Sequence, residues 1–324
     1  MRPLRTLLLA VSTLACCLAH GQTYPTKTIT LLVAFPAGGQ ADAVARAIAP
    51  ALQKELGQTV IVDNAAGVGG ALGAQKVLGA AADGHTLMFG TPIELVQTPM
   101  AVAGAKYKPE DFRMIGPVAS TYMMMTVRPD LPVASVADFV AFAKKSGAKE
   151  LSFGSVGRGS AYHLVAERFA QDTGLQMLHV PYKGAQQLIT DLAGGQIDMA
   201  FLPLGGPVPG LLQTGKFKAI GYTAASRHAK FPNTPTLDES KLVKDFHFDL
   251  WGALMVAKSV PEPVAAKLSA ALNQALKQPQ LRKDLEATGV QPTDPMDQAR
   301  AAGFYASEIA RYQRIGNAIN LQPE

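Results

Sequence analysis

The chain has 324 residues, 48% of them hydrophobic and 17% charged, with no low-complexity tract, which excludes a disordered or fibrous protein and leaves room for two lobes. The formal charge of +5 falls to +3 once Arg2 and Arg5 are set aside, and no basic cluster accompanies it, so nucleic acid is excluded as a partner. Cys16 and Cys17 are the only cysteines, which leaves the chain after them without a disulfide, a thiol nucleophile or a cysteine metal site.

Met1 to Gly21 combines a positive start, an apolar centre from Leu7 to Leu18 and Ala19-His20-Gly21 at small-residue cleavage spacing, the pattern of a cleavable signal peptide for export. Thr13 stands where a lipobox usually has leucine, which argues against a lipid anchor on Cys16. No later stretch is apolar for the roughly 18 residues of a membrane span, so a soluble periplasmic protein is expected.

Leu31 to Phe35 is a continuous apolar run stopped by Pro36, as in a strand covered on both faces of a parallel sheet. After the turn Pro36-Ala37-Gly38-Gly39-Gln40, Val44, Ile48 and Leu52 recur along one helical face. Such a turn aims the first helical amides at whatever sits above the strand, an anion site, although Asp42 in the first helical turn also satisfies amides there as a simple cap. Thr59 to Asp63 is a second strand, and the Gly67-Val68-Gly69-Gly70 turn leads into a helix carrying Leu72, Val77 and Leu78 that is expected to run to Asp83-Gly84. Thr86 to Phe89 is a third strand ending in Gly90-Thr91-Pro92, at the carboxyl edge where open parallel sheets bind ligands.

Phe112 to Val127 is long and extended and suits a crossing between lobes. Ser135 caps a helix ended by Ser146-Gly147; Leu151 to Gly154 then repeats the pattern of strand, glycine turn (Ser155 to Ser160) and helix. Strands follow at Met177 to Val180, Ile197 to Phe201 and Phe217 to Thr223, with helices at Gln186 to Leu192 and from Val208 to Leu212. Arg227 to Ser240 is a loop, Phe248 to Val256 with the sole Trp251 rejoins the first sheet, and helices over Val264 to Leu276, Gln280 to Thr288 and Asp297 to Ile315 close the chain. A chain that leaves one sheet, builds a second and returns predicts a hinged two-lobe clamp, with 22–123 and 224–324 as the first lobe and 124–223 as the second.

Motifs for chemistry fail on inspection. Gly210 to Phe217 approaches a Walker A loop, but Phe217 replaces the hydroxyl residue and the helix precedes the strand; Gly67-Val68-Gly69 and Gly157-Arg158-Gly159 lack the third Rossmann glycine at Leu72 and Tyr162; Phe153 breaks the nucleophile elbow. The histidines at 85, 163, 179, 228 and 247 show no metal spacing, so no metal and no cofactor is expected. His163 reads first as a structural histidine bonded to Ser160 or Glu167, and second as a group reaching the cleft. What survives is four small-residue turns, 36–42, 90–92, 154–161 and 181–184, including Ser155, Ala161, Tyr182 and Gly184. Gly38, Gly39, Gly157 and Gly159 allow close backbone approach; Thr91, Ser155, Ser160 and Tyr182 bring hydroxyls; Arg158 and Lys183 bring charge. That chemistry suits a carboxylate.

FPAGGQADAVAR, DNAAGVGGALGA, ADGHTLMFGT, SFGSVGRGSAYHL, VPYKGAQQLITDLAGGQIDMAF and the tail LNQALKQPQLRKDLEATGVQP, in this order from about Tyr24 onward, resemble the Bug family, extracytoplasmic solute receptors of tripartite tricarboxylate transporters. The resemblance implies an α/β type II periplasmic-binding-protein fold, two α/β lobes joined by crossover strands with the ligand cleft between them. It implies a monomeric receptor, not an enzyme, that presents a small organic acid to integral-membrane permease subunits. It implies ligand contacts from the loops at Phe35, Pro36, Ala37, Gly38, Gly39, Gln40 and Asp42, from Gly154 to His163, and from Gly90, Thr91, Tyr182, Lys183 and Gly184. Arg158 and Tyr162 depart from the small residues common there, and Phe201 to Gly206 is more apolar than usual for the family. Two rival roles remain open: a ligand sensor feeding a membrane kinase, and an exported enzyme with Asp42 or His163 as base.

Overall fold

A computed structural model describes residues 24–145, 151–182, 184–205, 207–228, 230–318 and 321–322. The signal segment with Cys16, the Ser146-Gly147 stop and Lys183 lie outside the described residues. In chain order the main elements are β1 (Ile29–Val33), α1 (Gln40–Leu56), β2 (Val60–Asn64), α2 (Ala71–Leu78), β3 (Thr86–Gly90), α3 (Thr98–Ala101), β4 (Phe112–Val127), α4 (Val136–Lys145), β5 (Leu151–Ser155) and α5 (Ala161–Thr173). There follow β6 (Met177–Pro181), α6 (Ala185–Ala193), β7 (Met199–Pro203), α7 (Val208–Gln213), β8 (Lys218–Tyr222), β9 (Asp249–Ala257), α8 (Glu262–Leu276), α9 (Pro279–Ala287), β10 (Gln291–Pro292) and α10 (Gln298–Ala318).

The strands form one continuous sheet ordered β2-β1-β3-β9-β4-β7-β5-β6, with β8 and β10 also on β4. β4 makes the continuity. Its first part, Phe112 to Tyr122, runs antiparallel to β9, and its last part, Met123 to Val127, runs antiparallel to β7 and β8. The long extended segment therefore belongs to two half-sheets. In each half the strands β2–β1–β3 and β6–β5–β7 are parallel, with β2 and β6 at the sheet edges and the central β1 and β5 largely buried, as strands covered on both faces should be.

α1 buries Val44, Ile48 and Leu52 against Leu31, Val33, Leu87 and Leu254 in a core shared with α8 and α9. The Leu151–Ser155 strand and α5 seat Phe153, Leu164, Val165 and Phe169 in a second, larger core. Two expectations change. α2 ends at Leu78 rather than near Asp83, with the Gly79 amide closing its last turn onto the Gln75 carbonyl, and Leu72, expected on its apolar face, is half exposed.

The seam between the halves is stitched by Thr223. Its amide donates to the Met123 carbonyl (3.0 Å), its hydroxyl accepts from the Met123 amide (2.9 Å) and donates to the Phe248 carbonyl (2.6 Å), all out of solvent. Thr223→Val keeps the shape and removes the hydroxyl, leaving two buried backbone groups unpaired. The expected loss is about 2–4 kcal/mol in urea unfolding; a change within about 0.5 kcal/mol, the range of an ordinary surface substitution, would show that the stitch carries nothing.

Candidate ligand-binding site

The carboxyl ends of the parallel strands in both halves open onto one cavity of about 920 Å³. All four small-residue turns reach it. From the first come Phe35, Pro36, Ala37, Gly39 and Gln40; from the second Thr91; from the third Arg158, Gly159 and Ser160; from the fourth Gly184. Arg158 is the charged side chain of the lining among the described residues, and it sits exposed at the mouth.

The first turn is shaped by Asp42. Its Oδ2 accepts from the Gly38 amide (2.9 Å) and from Arg46 Nε (3.0 Å), while Asn64 Nδ2 donates to the Phe35 carbonyl (3.0 Å). The bond from Arg46 is the main reason the Asp42 carboxyl drops to about 2. Gly38, at φ +82°, takes the left-handed conformation that folds the turn back on this carboxylate. Neither Gly38 nor Asp42 lines the cavity; Asp42 consumes one amide, and the helix start at Gln40 leaves further orphan amides by its geometry.

In the second turn the Thr91 amide donates to Glu94 Oε1 (2.6 Å) and the Thr91 hydroxyl to Glu94 Oε2. Burial pushes the wholly enclosed Glu94 carboxyl up to about 7. Gly90 does not line the cavity: a Cβ there would fall 2.7 Å from Leu95 and Met255, so its glycine serves packing.

The third turn is tied from behind. Ser155 Oγ bonds the Gly157 carbonyl (3.0 Å) and amide (3.1 Å) and meets His179 Nε2 at 2.7 Å. His163 Nδ1 accepts from the Gly159 amide (3.0 Å) and its Nε2 faces Glu167 Oε1 at 3.4 Å, while the Ser160 hydroxyl caps α5 by accepting from the His163 amide. His163 and His179 stack with centroids 4.1 Å apart. Desolvation, with His163 beside it, pushes His179 down to about 4. Ser155, Gly157, Ala161 and His163 thus lie behind the lining and hold its shape. In the fourth turn burial, reinforced by Asp191, raises the Tyr182 phenol to about 12, and Tyr182 also stays off the cavity wall.

Other lining residues escaped the sequence reading. Between β3 and α3 a π-helical turn, Ile93–Gln97, sends Ile93 and Gln97 to the wall, followed by Thr98, Ala101 and Val102. Phe89, Thr121, Leu250, Trp251 and Gly252 come from β3, β4 and β9. Trp251 is oriented by its indole N–H, which donates to Glu308 Oε2 (2.9 Å); Arg311 pairs with Glu308 (2.8 Å) and with Asp249 (3.2 Å). The apolar run around Trp251 was the only available signal, and it reads equally as core. Across the mouth the two halves touch: a Cβ built on Gly159 falls 2.7 Å from the Ala101 Cβ, and one on Gly205 falls 2.7 Å from Gln40 Nε2.

The chain is similar in sequence and in fold to known proteins. The family model described as "Tripartite tricarboxylate transporter family receptor" matches residues 44–321. Protein BugT of Bordetella pertussis is 32% identical over 302 residues, 90% of this chain and 89% of its own length. A Rhodopseudomonas palustris protein solved with adipate superposes with a TM-score of 0.80 at 28% identity, over 93% of this chain and 100% of that one. The R. palustris protein MatC, solved with bound malate, gives 0.76 at 29% identity, over 90% of this chain and 99% of that one. Family and structural neighbours are binding proteins, several of them periplasmic, and not enzymes. On the family match and the identity to BugT, the chain belongs to the tripartite tricarboxylate transporter receptor family, the Bug-type solute receptors.

Proposed function

We propose that the protein is a periplasmic receptor that closes over a small organic acid and delivers it, unconverted, to the membrane permease subunits of a tripartite tricarboxylate-type transporter. The observation that carries this reading is the convergence of small-residue turns from both half-sheets on one cavity, with Arg158 at its mouth. Backbone amides and hydroxyls bind a carboxylate without the desolvation cost of burying a cluster of cations. The half-sheets act as lobes, 22–123 with 224–324 and 124–223, hinged where β4 changes partners. Neither set of turns can satisfy all the oxygens of the acid alone, so the ligand binds the closed arrangement better and draws the equilibrium toward it. The similar proteins solved with adipate and with malate support a carboxylated ligand.

Trp251, the only tryptophan, lines the cavity and reports directly on it. Titration with organic acids, beginning with adipate and malate, is expected to give a saturable emission change with the acid recovered intact. Conversion of the acid to product would instead make the cleft an active site.

A further inference from the structure

Beyond the Gly39–Gln40 turn, the wall that the first half-sheet gives the cavity carries no charged side chain among the described residues, and its polar groups are committed elsewhere or buried. The Thr91 hydroxyl donates to Glu94, the Thr98 hydroxyl to the Gly69 carbonyl (2.7 Å) and the Trp251 indole N–H to Glu308. Gln97 and Thr121 are only 1% and 5% exposed, so neither presents its polar atoms to a guest to any extent. The accessible part of this wall is apolar: Phe35, Ile93, Val102 and Leu250 line the cavity and are each half-buried, and the second half-sheet adds Val156 and Pro203 in the same state.

The space is large for a short acid. Its volume of about 920 Å³ lies at the upper end of the cavities that hold drug-sized ligands. The halves already meet at Ala101 and Gly159 and at Gln40 and Gly205, so this is not the gap of a clamp standing wide open. A carboxylate laid against the apolar wall would shed its water and find no donor, at the cost of desolvating an unpaired charge. An apolar body placed there displaces water instead, and gains about fourfold in affinity for each methylene buried. We propose that the ligand is an acid with one carboxylate, held by the turns, and an uncharged apolar body the size of a fused bicycle, which fills the wall of the first half-sheet. This rests on the receptor reading and names the substrate class within it: bulky apolar monocarboxylates in preference to short dicarboxylates.

The test is calorimetric titration of the wild type with benzoate, naphthalene-2-carboxylate, naphthalene-2,6-dicarboxylate and adipate at several temperatures. Naphthalene-2-carboxylate is expected to bind about tenfold or more tightly than benzoate, with a more negative heat-capacity change, because the second ring buries further apolar surface. It is also expected to bind about tenfold or more tightly than either dicarboxylate, whose second charge is left without a partner. Leu250→Lys sets an ammonium group in the apolar wall. In that variant, with its fold checked by an unfolding curve, the ratio of monocarboxylate to naphthalene dicarboxylate affinity is expected to fall by about tenfold or more. Benzoate or a dicarboxylate bound as tightly as naphthalene-2-carboxylate in the wild type, or an unchanged ratio in folded Leu250→Lys, would overturn the assignment and leave the receptor reading intact. Failure of all four acids to bind would count against both.

Discussion

Ala101→Phe is expected to cost about a hundredfold or more in affinity for the bound acid while leaving the ligand-free protein as stable as wild type. Ala101 ends α3 on the first half-sheet and meets the Gly159 loop of the second with almost no spare room, since a single added Cβ at Gly159 would already fall 2.7 Å away. A phenyl ring at that point wedges the mouth. The turns at Gly39 and at Ser160 then no longer engage the same ligand together, and binding by one wall alone forfeits several charge-assisted hydrogen bonds at roughly 1.5–3 kcal/mol each. Ala101 rather than Gly159 is the informative position, because Gly159 lies at φ +76° and any side chain there strains the backbone as well. Titration calorimetry with an unfolding curve on the same sample checks this. Wild-type affinity in Ala101→Phe would mean that closure at this contact contributes nothing to binding.

Glu94→Gln is expected to abolish a pH-dependent loss of stability of about 3 kcal/mol between pH 4.5 and 7. The Glu94 carboxyl ionises near 4.5 when free and near 7 in the folded protein, chiefly because it is wholly desolvated. In that interval the native state holds a proton that the unfolded state has released. Stability therefore falls as pH rises through the window and levels off above 7. Glu308, also raised to about 7 by burial, slopes the same way, whereas His179, lowered to about 4, makes stability rise with pH between about 4 and 6.5. The difference between wild type and Glu94→Gln in urea unfolding from pH 4.5 to 8 isolates Glu94 from both. Glutamine still accepts from the Thr91 amide, so the turn is retained. Parallel curves for the two proteins would contradict a buried, proton-holding Glu94.

The parts of this molecule that were legible in the sequence are those set by short-range periodicity. The apolar run from Leu31 to Phe35 suited a covered strand, and β1 covers its first three residues while Ala34 and Phe35 pass into the turn; the spacing of Val44, Ile48 and Leu52 named the buried face of α1. The four turns stood out because glycine, proline and hydroxyl residues interrupt apolar runs at strand ends. Within those turns, sequence did not distinguish wall from scaffold. Gly90 and Gly159 read alike, yet one glycine makes room for Leu95 and Met255 while the other lines the cleft. His163 and His179 are far apart in the chain and meet only because β5 pairs with β6. The π-helical turn that delivers Gln97 has no 3.6-residue signature, and Pro92 and Pro99 on either side read as loop. Trp251 was legible as core and not as lining, since burial against a cavity and burial against protein select the same residue type.

The most direct test of the receptor account is native mass spectrometry of the mature protein purified without refolding, followed by calorimetric rebinding of whatever it releases. One small carboxylate per chain is expected, released unaltered and rebound at a single site without turnover, with Trp251 emission changing in step. A released molecule that the protein transforms on re-addition, or a mature protein that holds no acid and rebinds none, would contradict it.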